Sequence, residues 1–224
     1  MERAAGQAHP QGVESVYATA RPSLVRRLAT PLAARARRRR YALYRRLIAP
    51  RPSERVIDIG CGWTGLAAFD HEGEITGIDL AERPGYAGDG RSFVRADART
   101  LPFAEQSFEI AYSNSLLEHV APADRQRVAG EIRRVAGRYF VQTPNRWFPI
   151  EPHVLIPFFQ FLPRGLRRRL WRFGISRSPF EDIRLLTAAE LQGLFPEARI
   201  VRERFGPLTK SLIAVGPAGR VGRE

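Results

Sequence analysis

The chain has 224 residues, 44% apolar and 26% charged, the balance of one folded domain with a modest appendage rather than of a disordered chain. Its single cysteine, Cys61, excludes an internal disulfide framework and a zinc-ribbon site, and the greasiest stretch, 147–163, carries four prolines plus Glu151 and His153 and so is no simple membrane-spanning helix. The net charge of +13 is concentrated: residues 21–51 hold eleven arginines and no acid, residues 164–177 hold six and no acid, and without both segments the chain stands at −4. A slightly acidic body with two arginine-dense segments weakens any general nucleic-acid reading.

Residues 1–22 mix Gly, Ala, Gln and His without a period and read as a flexible lead-in. Residues 23–51 form an Arg-rich helical cap, expected to break near Pro31. In it Leu43 and Leu47, and likewise Tyr44 and Ile48, recur at i, i+4. That stripe suits a helix packed on the body with a solvated basic back, or a surface helix drawn to anionic lipid or to a phosphorylated acceptor. No apolar run follows the amino terminus in the manner of a secretory signal, so the expectation is a cytoplasmic protein, peripheral at the membrane at most.

The main domain is expected over 52–217, with an insertion at 144–182 and a tail at 218–224. Short apolar strands are expected at 55–59, 75–80, 93–96, 107–112 and 138–143, with a short helix after the first and a longer one over 123–136, where Val128, Ile132 and Val135 share a face. Thr187 is placed to cap a helix with Glu190 completing a capping box, and strands at 198–204 and 210–215 close the chain. Alternating strands and helices predict an α/β, doubly wound parallel sheet.

A glycine turn and two acids carry most of the chemical information. Gly60, Gly62 and Gly65 follow the first strand, and Asp79 ends the second. The spacing formally satisfies a dinucleotide fingerprint. Asp58 decides against it, because a carboxylate two residues before the first glycine would repel a pyrophosphate. A methyl donor with an ammonium and a sulfonium, S-adenosylmethionine, suits that charge. The alternative for Asp58 is that it caps the helix that follows.

Val56-Ile57-Asp58-Ile59-Gly60-Cys61-Gly62 resembles the first motif of class I S-adenosylmethionine-dependent methyltransferases. Ile78-Asp79-Leu80, Arg95-Ala96-Asp97-Ala98 with Leu101-Pro102-Phe103, and Ser107-Phe108-Glu109-Ile110 with Ser115-Leu116-Leu117-Glu118-His119-Val120 resemble the next three, in the type 11 branch that includes ubiquinone and menaquinone biosynthesis. The resemblance covers about 52–215. It implies a Rossmann-like seven-stranded sheet, mostly parallel with an antiparallel last strand, plus N-terminal helices and an insertion on the acceptor side. It also implies donor contacts at Asp58, Gly60, Cys61, Gly62 and Gly65, at Asp79 and Leu80 for the ribose, at Asp97 and Ala98 for adenine, and at Asn114. One departure stands out: Trp63-Thr64 puts two residues where the family has one between its second and third glycines.

On the acceptor side the candidates are His153 with Glu151, separated by Pro152 in the insertion, and His119 at the end of the fourth strand. Each also suits a structural role. His9 lies in the lead-in and His71 in a connection, and no metal site is expected. The leading reading is methyl transfer to an oxygen of a small-molecule, glycan or lipid-linked acceptor. The alternatives are C-methylation of a quinone-like ring, nucleic-acid methylation, and a cofactor-binding module without catalysis. Ser113-Asn114-Ser115-Leu116, where base-modifying relatives carry Pro-Pro-aromatic, argues against nucleic acid. The apolar run 155–163 beside Arg164–Arg172 suits a lipid-facing lid and a partner surface of anionic membrane.

Overall fold

The computed structural model describes residues 24–217 except Thr64, 70–72, 84–85, Asp89, Pro152, 172–179 and 181–182, with side chains described from Ala34 onward. The lead-in 1–22, Ser23, His9, His71, Arg172, Arg177 and the tail 218–224 lie outside the described residues.

Seven strands form one sheet in the order β3-β2-β1-β4-β5-β7-β6. They are β1 Val56–Ile59, β2 Ile75–Asp79, β3 Arg91–Arg95, β4 Phe108–Asn114, β5 Ala136–Pro144, β6 Arg199–Phe205 and β7 Leu208–Gly216. All neighbours up to β5 pair parallel, whereas β7 is antiparallel to both β5 and β6. The helices are α1 Leu24–Ile48, α2 Arg125–Val135, α3 Arg164–Trp171 and α4 Ala188–Leu194. No helix among the described residues is long and apolar enough to cross a membrane.

The period-2 alternation of β1 sorts its side chains to two cores. Ile57 and Ile59 face α2 and α4, packing with Val128, Ile132, Leu191 and Phe195. Val56 faces the opposite layer, with Tyr44 and Ile48 of α1, Tyr112, Phe140 and Ile213. The predicted stripe of α1 is therefore spent against the sheet. Tyr44 is fully buried, edge-on to Tyr112 at 5.2 Å and to Phe140 at 5.7 Å, and Leu43 and Leu47 pack at the margin.

Two expectations for this half are corrected. The cap is one continuous 25-residue helix rather than helices broken at Pro31. The proline removes one backbone donor, but the docking of Tyr44 and Ile48 orients the element regardless of that local defect. The glycine turn is followed by a single 3-10 turn, Gly65–Ala68, rather than an α-helix. Local signals fared better at α4, where Thr187 and Glu190 form the reciprocal capping box.

Arg40 fixes the cap to the sheet. Its guanidinium donates to Glu203 of β6 (3.1 Å), Asn114 of β4 (2.7 Å) and Ser211 of β7, with Arg40 and Glu203 side chains only 10% and 9% exposed. Removing one member of such a pair strands the other charge in the interior, whereas replacing both with apolar groups is often neutral. Arg40→Met is expected to cost about 3 kcal/mol or more in urea unfolding, and Arg40→Met/Glu203→Leu to return within about 1 kcal/mol of the parent. Equal losses in the two variants would show that the pair does not act as a unit.

Candidate functional site

The strand order reverses between β1 and β4, and the crevice outside the carboxyl ends of the strands at that point is where such sheets bind ligands. A cavity of about 330 Å³ opens there, walled by Gly60, Asp79, Leu80, Asp97, Leu116 and His119. Gly60 has φ +74, and a Cβ on it would stand 3.0 Å from the Leu116 side chain, so the chain passes close under the β4 turn because glycine is there.

The acids at the strand ends are already engaged. Asp79 Oδ2 accepts from the Gly62 amide at 3.0 Å, which ties the glycine turn to β2, while Oδ1 accepts from the Ala81 amide and from Arg83 at 2.8 Å. The Arg83 guanidinium in turn lies 5.2 Å from the Trp63 ring centroid. Asp97 is gripped by Arg99, which also reaches Asp124 at 3.1 Å; this holds the Asp97 carboxyl below its ordinary range.

Asp58 sits behind the cavity wall, 1% exposed. Its Oδ2 accepts from the Leu66 amide at 2.6 Å and the Tyr86 hydroxyl at 3.0 Å, so it does cap the 3-10 turn that follows. Burial pushes its carboxyl up to about 6, with those two hydrogen bonds opposing the shift. A Cβ on Gly65 would fall 2.1 Å from Asp58 Oδ2, so Gly65 leaves room for the carboxylate rather than walling the cavity. Cys61 is buried and its thiol is pushed up by burial, which leaves it a packing residue. Asn114 spends its side-chain oxygen on Arg40. Of the donor-side candidates, Gly60, Asp79, Leu80, Asp97 and Ala98 line the cavity, and Asp58, Cys61, Gly62, Gly65 and Asn114 form its supports.

On the acceptor side the fold brings Glu151, His153 and His119 together. His153 Nδ1 is 2.5 Å from Glu151 Oε1, and Glu151 Oε2 accepts the backbone N–H groups of His153 (2.8 Å) and Val154 (2.9 Å). Glu151 is thereby buried at 2% exposure yet fully oriented. The His153 and His119 rings meet edge to face with centroids 5.0 Å apart. The tight turn after β4, closed by His119 N–H to the Leu116 carbonyl at 2.9 Å, places His119 between this pair and the cavity.

Three participants were not anticipated. Tyr86 reaches Asp58 from a connection with no periodic signal, and Arg40 reaches Asn114 from the cap helix. Glu118 is buried beside His119 and bonds Thr143 Oγ1 at 3.0 Å. Only Glu118 had a cue, its place in the motif next to His119.

Residues 57–138 match the methyltransferase domain family. A demethylmenaquinone methyltransferase of Beutenbergia cavernae is 33% identical over 121 residues, 46% of this chain and 47% of that protein, so the match spans under half of the relative's length. Among solved structures, the magnesium protoporphyrin IX methyltransferase of Synechocystis PCC 6803, with bound S-adenosylhomocysteine, aligns at TM-score 0.60 with 13% identity over 89% of this chain and 90% of that one. The 1,6-didemethyltoxoflavin-N1-methyltransferase of Burkholderia thailandensis aligns at 0.53 with 20% identity over 78% and 74%. These structural likenesses establish the fold.

The raised Asp58 carboxyl has a stability consequence whose sign is fixed. The native state holds that proton more tightly than the unfolded chain does, so protonation favours the fold at low pH. That contribution is lost as pH rises from the ordinary 3.8 through about 6. Asp58→Asn keeps an oxygen for Leu66 and Tyr86 without the buried charge. It is expected to be about 1–3 kcal/mol more stable than the parent at neutral pH, with the advantage vanishing near pH 4. Thermal unfolding across pH checks this, and a variant weaker at every pH would refute it.

Proposed function

With residues 57–138 forming a methyltransferase domain of the S-adenosylmethionine-dependent, Rossmann-like kind, we propose that the chain transfers a methyl group to an oxygen of a small-molecule, glycan or lipid-linked acceptor. The observation that carries this reading is the position of His119. It lines the cavity that holds Asp79 and Asp97, and its ring meets that of His153, itself bonded to Glu151. Donor and acceptor chemistry then lie on either side of one side chain.

The residues present fit the donor. Asp79 at the end of β2 is an acceptor for the ribose hydroxyls, and Asp97 with the Ala98 amide suits the adenine edge. The Gly60–Gly62 backbone would hold the methionyl end of the donor. Asp58 is a buried carboxylate that accepts from two neutral groups, the Leu66 amide and the Tyr86 phenol, so its field favours a cationic ligand in front of the turn. The donor supplies an electrophilic methyl on a sulfonium. The chain's own work is to hold the acceptor oxygen in line, to exclude water, and to receive the acceptor proton at the Glu151–His153 pair.

Calorimetry is expected to give micromolar S-adenosylmethionine binding that is lost in Asp79→Ala; tighter binding of NADH than of the methyl donor would overturn the reading. With labelled donor and a panel of phenols, quinols and hydroxylated glycolipids, His153→Ala is expected to cut turnover about a hundredfold while donor affinity holds. Unchanged turnover would return His153 to a structural role. The Beutenbergia relative supports a second reading, C-methylation of a quinone-like ring, and mass-spectrometric location of the label on the product separates the two.

A lipid-linked acceptor is supported by the insertion. Trp147, Ile150, Phe158, Phe161 and Leu166 are exposed there, Trp147 stacks on Phe161 at 5.7 Å, and Arg164, Arg168 and Arg169 are exposed beside them. Vesicles rich in anionic lipid are expected to sediment the protein at low salt and release it at high salt. No co-sedimentation at low salt would sink the membrane part of this proposal.

A further inference from the structure

One polar atom at the acceptor end is not used by the chemistry above. Glu118 is 1% exposed, and its Oε2 accepts from Thr143 Oγ1, whereas its buried Oε1 has no hydrogen-bond partner among the described residues. Leaving a buried carboxylate oxygen unmatched is costly. Arg125 is close enough to feel the Glu118 charge, yet its guanidinium donates to the backbone carbonyls of Val120 and Arg184. The two side chains that do converge with Glu118 are imidazoles: donor atoms of Glu118, His119 and His153 all lie within 4.8 Å of one another.

We infer that Glu118, His119 and His153 bind a divalent transition-metal cation of the zinc class. The assignment rests on reading this cluster as the acceptor end of the site, and it names what activates the acceptor there. Two imidazoles and one carboxylate form a ligand set that leaves a coordination position open, and the imidazoles disfavour magnesium and calcium. With bonds of about 2.1 Å, tetrahedral donors stand about 3.4 Å apart, so the cation draws the three inward by about an ångström. His119 is exposed and is the side chain able to travel. Behind His153, Glu151 takes Nδ1 and is itself fixed by two backbone amides, the carboxylate support that orients metal-ligating histidines; Nε2 is then the ligating nitrogen.

The open position adjoins the donor cavity, which His119 also lines. An acceptor hydroxyl coordinated there ionises near neutral pH, as water on catalytic zinc does. Its O–H bond breaks with the proton passing to solvent, and the oxygen lone pair forms the bond to the donor methyl. The carbon–sulfur bond breaks, and S-adenosylhomocysteine leaves. In the loaded protein His153 is a ligand, and the proton-accepting task described above passes to the cation and solvent.

Metal-stripped protein titrated with zinc and with cobalt, without donor or acceptor, tests the site. The expected result is one ion per chain, with the visible absorption of four- or five-coordinate cobalt. Zinc affinity is expected to fall about a hundredfold in Glu118→Gln and in His119→Ala, and about tenfold or more in Glu151→Gln. His119 is exposed, so weakened binding in His119→Ala is not explained by unfolding. Absence of stoichiometric binding, or affinity unchanged in both ligand variants, overturns the proposal. A protein that binds zinc but transfers no methyl group refutes the functional reading alone. One that turns over unaffected by chelators and holds no zinc refutes the cation site alone.

Discussion

A single carboxylate oxygen, Asp58 Oδ2, takes the Leu66 amide at 2.6 Å and the Tyr86 hydroxyl at 3.0 Å from inside a fully buried strand. Through it, the central strand, the turn that opens the cavity and the connection after β2 are tied to one atom. The same atom forbids any side chain at residue 65. Holding an ionised group there works against stability at neutral pH, and perturbed carboxyls of this kind concentrate where a ligand is to be bound. The glycine turn thus keeps its shape through hydrogen bonds to an oxygen whose charge itself works against stability.

The arginine excess resolves in a comparable way. Part of it is internal carpentry: Arg40 joins the cap to β4, β6 and β7, Arg134 holds Glu131 and the carbonyls of Leu101 and Phe103, and Arg138 bridges the Ile48 carbonyl and Glu54. Guanidinium suits this work because its planar fork reaches several acceptors at once. Among the described residues, other arginines face outward, with groups on the back of α1, at Arg38, Arg39, Arg45 and Arg46, and on α3 beside the exposed aromatics. A count of positive charge does not distinguish these uses; the geometry does.

The strands and the cap of α4 were legible in the sequence because they depend on neighbours two to four residues away. The alternation in Val56–Ile59 and the Thr187–Glu190 box are of this sort. The positions of Asp79 and Asp97 at strand ends followed from the same local reading. What could not be read depends on distant partners. Nothing near Arg40 signals that it will be buried against Glu203, and nothing near Pro31 signals that the packing of Tyr44, thirteen residues later, will keep the helix whole. Glu118 and His119 are adjacent in sequence, but their convergence with His153 needs the β4 turn and the insertion to meet. The residues at the strand ends around the cavity were therefore more legible than the cluster of Glu118, His119, Glu151 and His153, whose parts come from separate loops.

The insertion of β7 between β5 and β6, with the cap helix laid across Phe140, Ile213 and Val215, also sets an order of assembly. Arg40 meets its carboxylate 163 residues later in the chain. The cap helix precedes every strand of the sheet, whereas Glu203 and Ser211, which hold Arg40, lie on the two strands that follow all the others, and contacts of such long sequence separation form slowly because their loop entropy must be met before they reward it. An arginine-dense helix is thus left without the carboxylate partner of Arg40 until five strands of the sheet have been made.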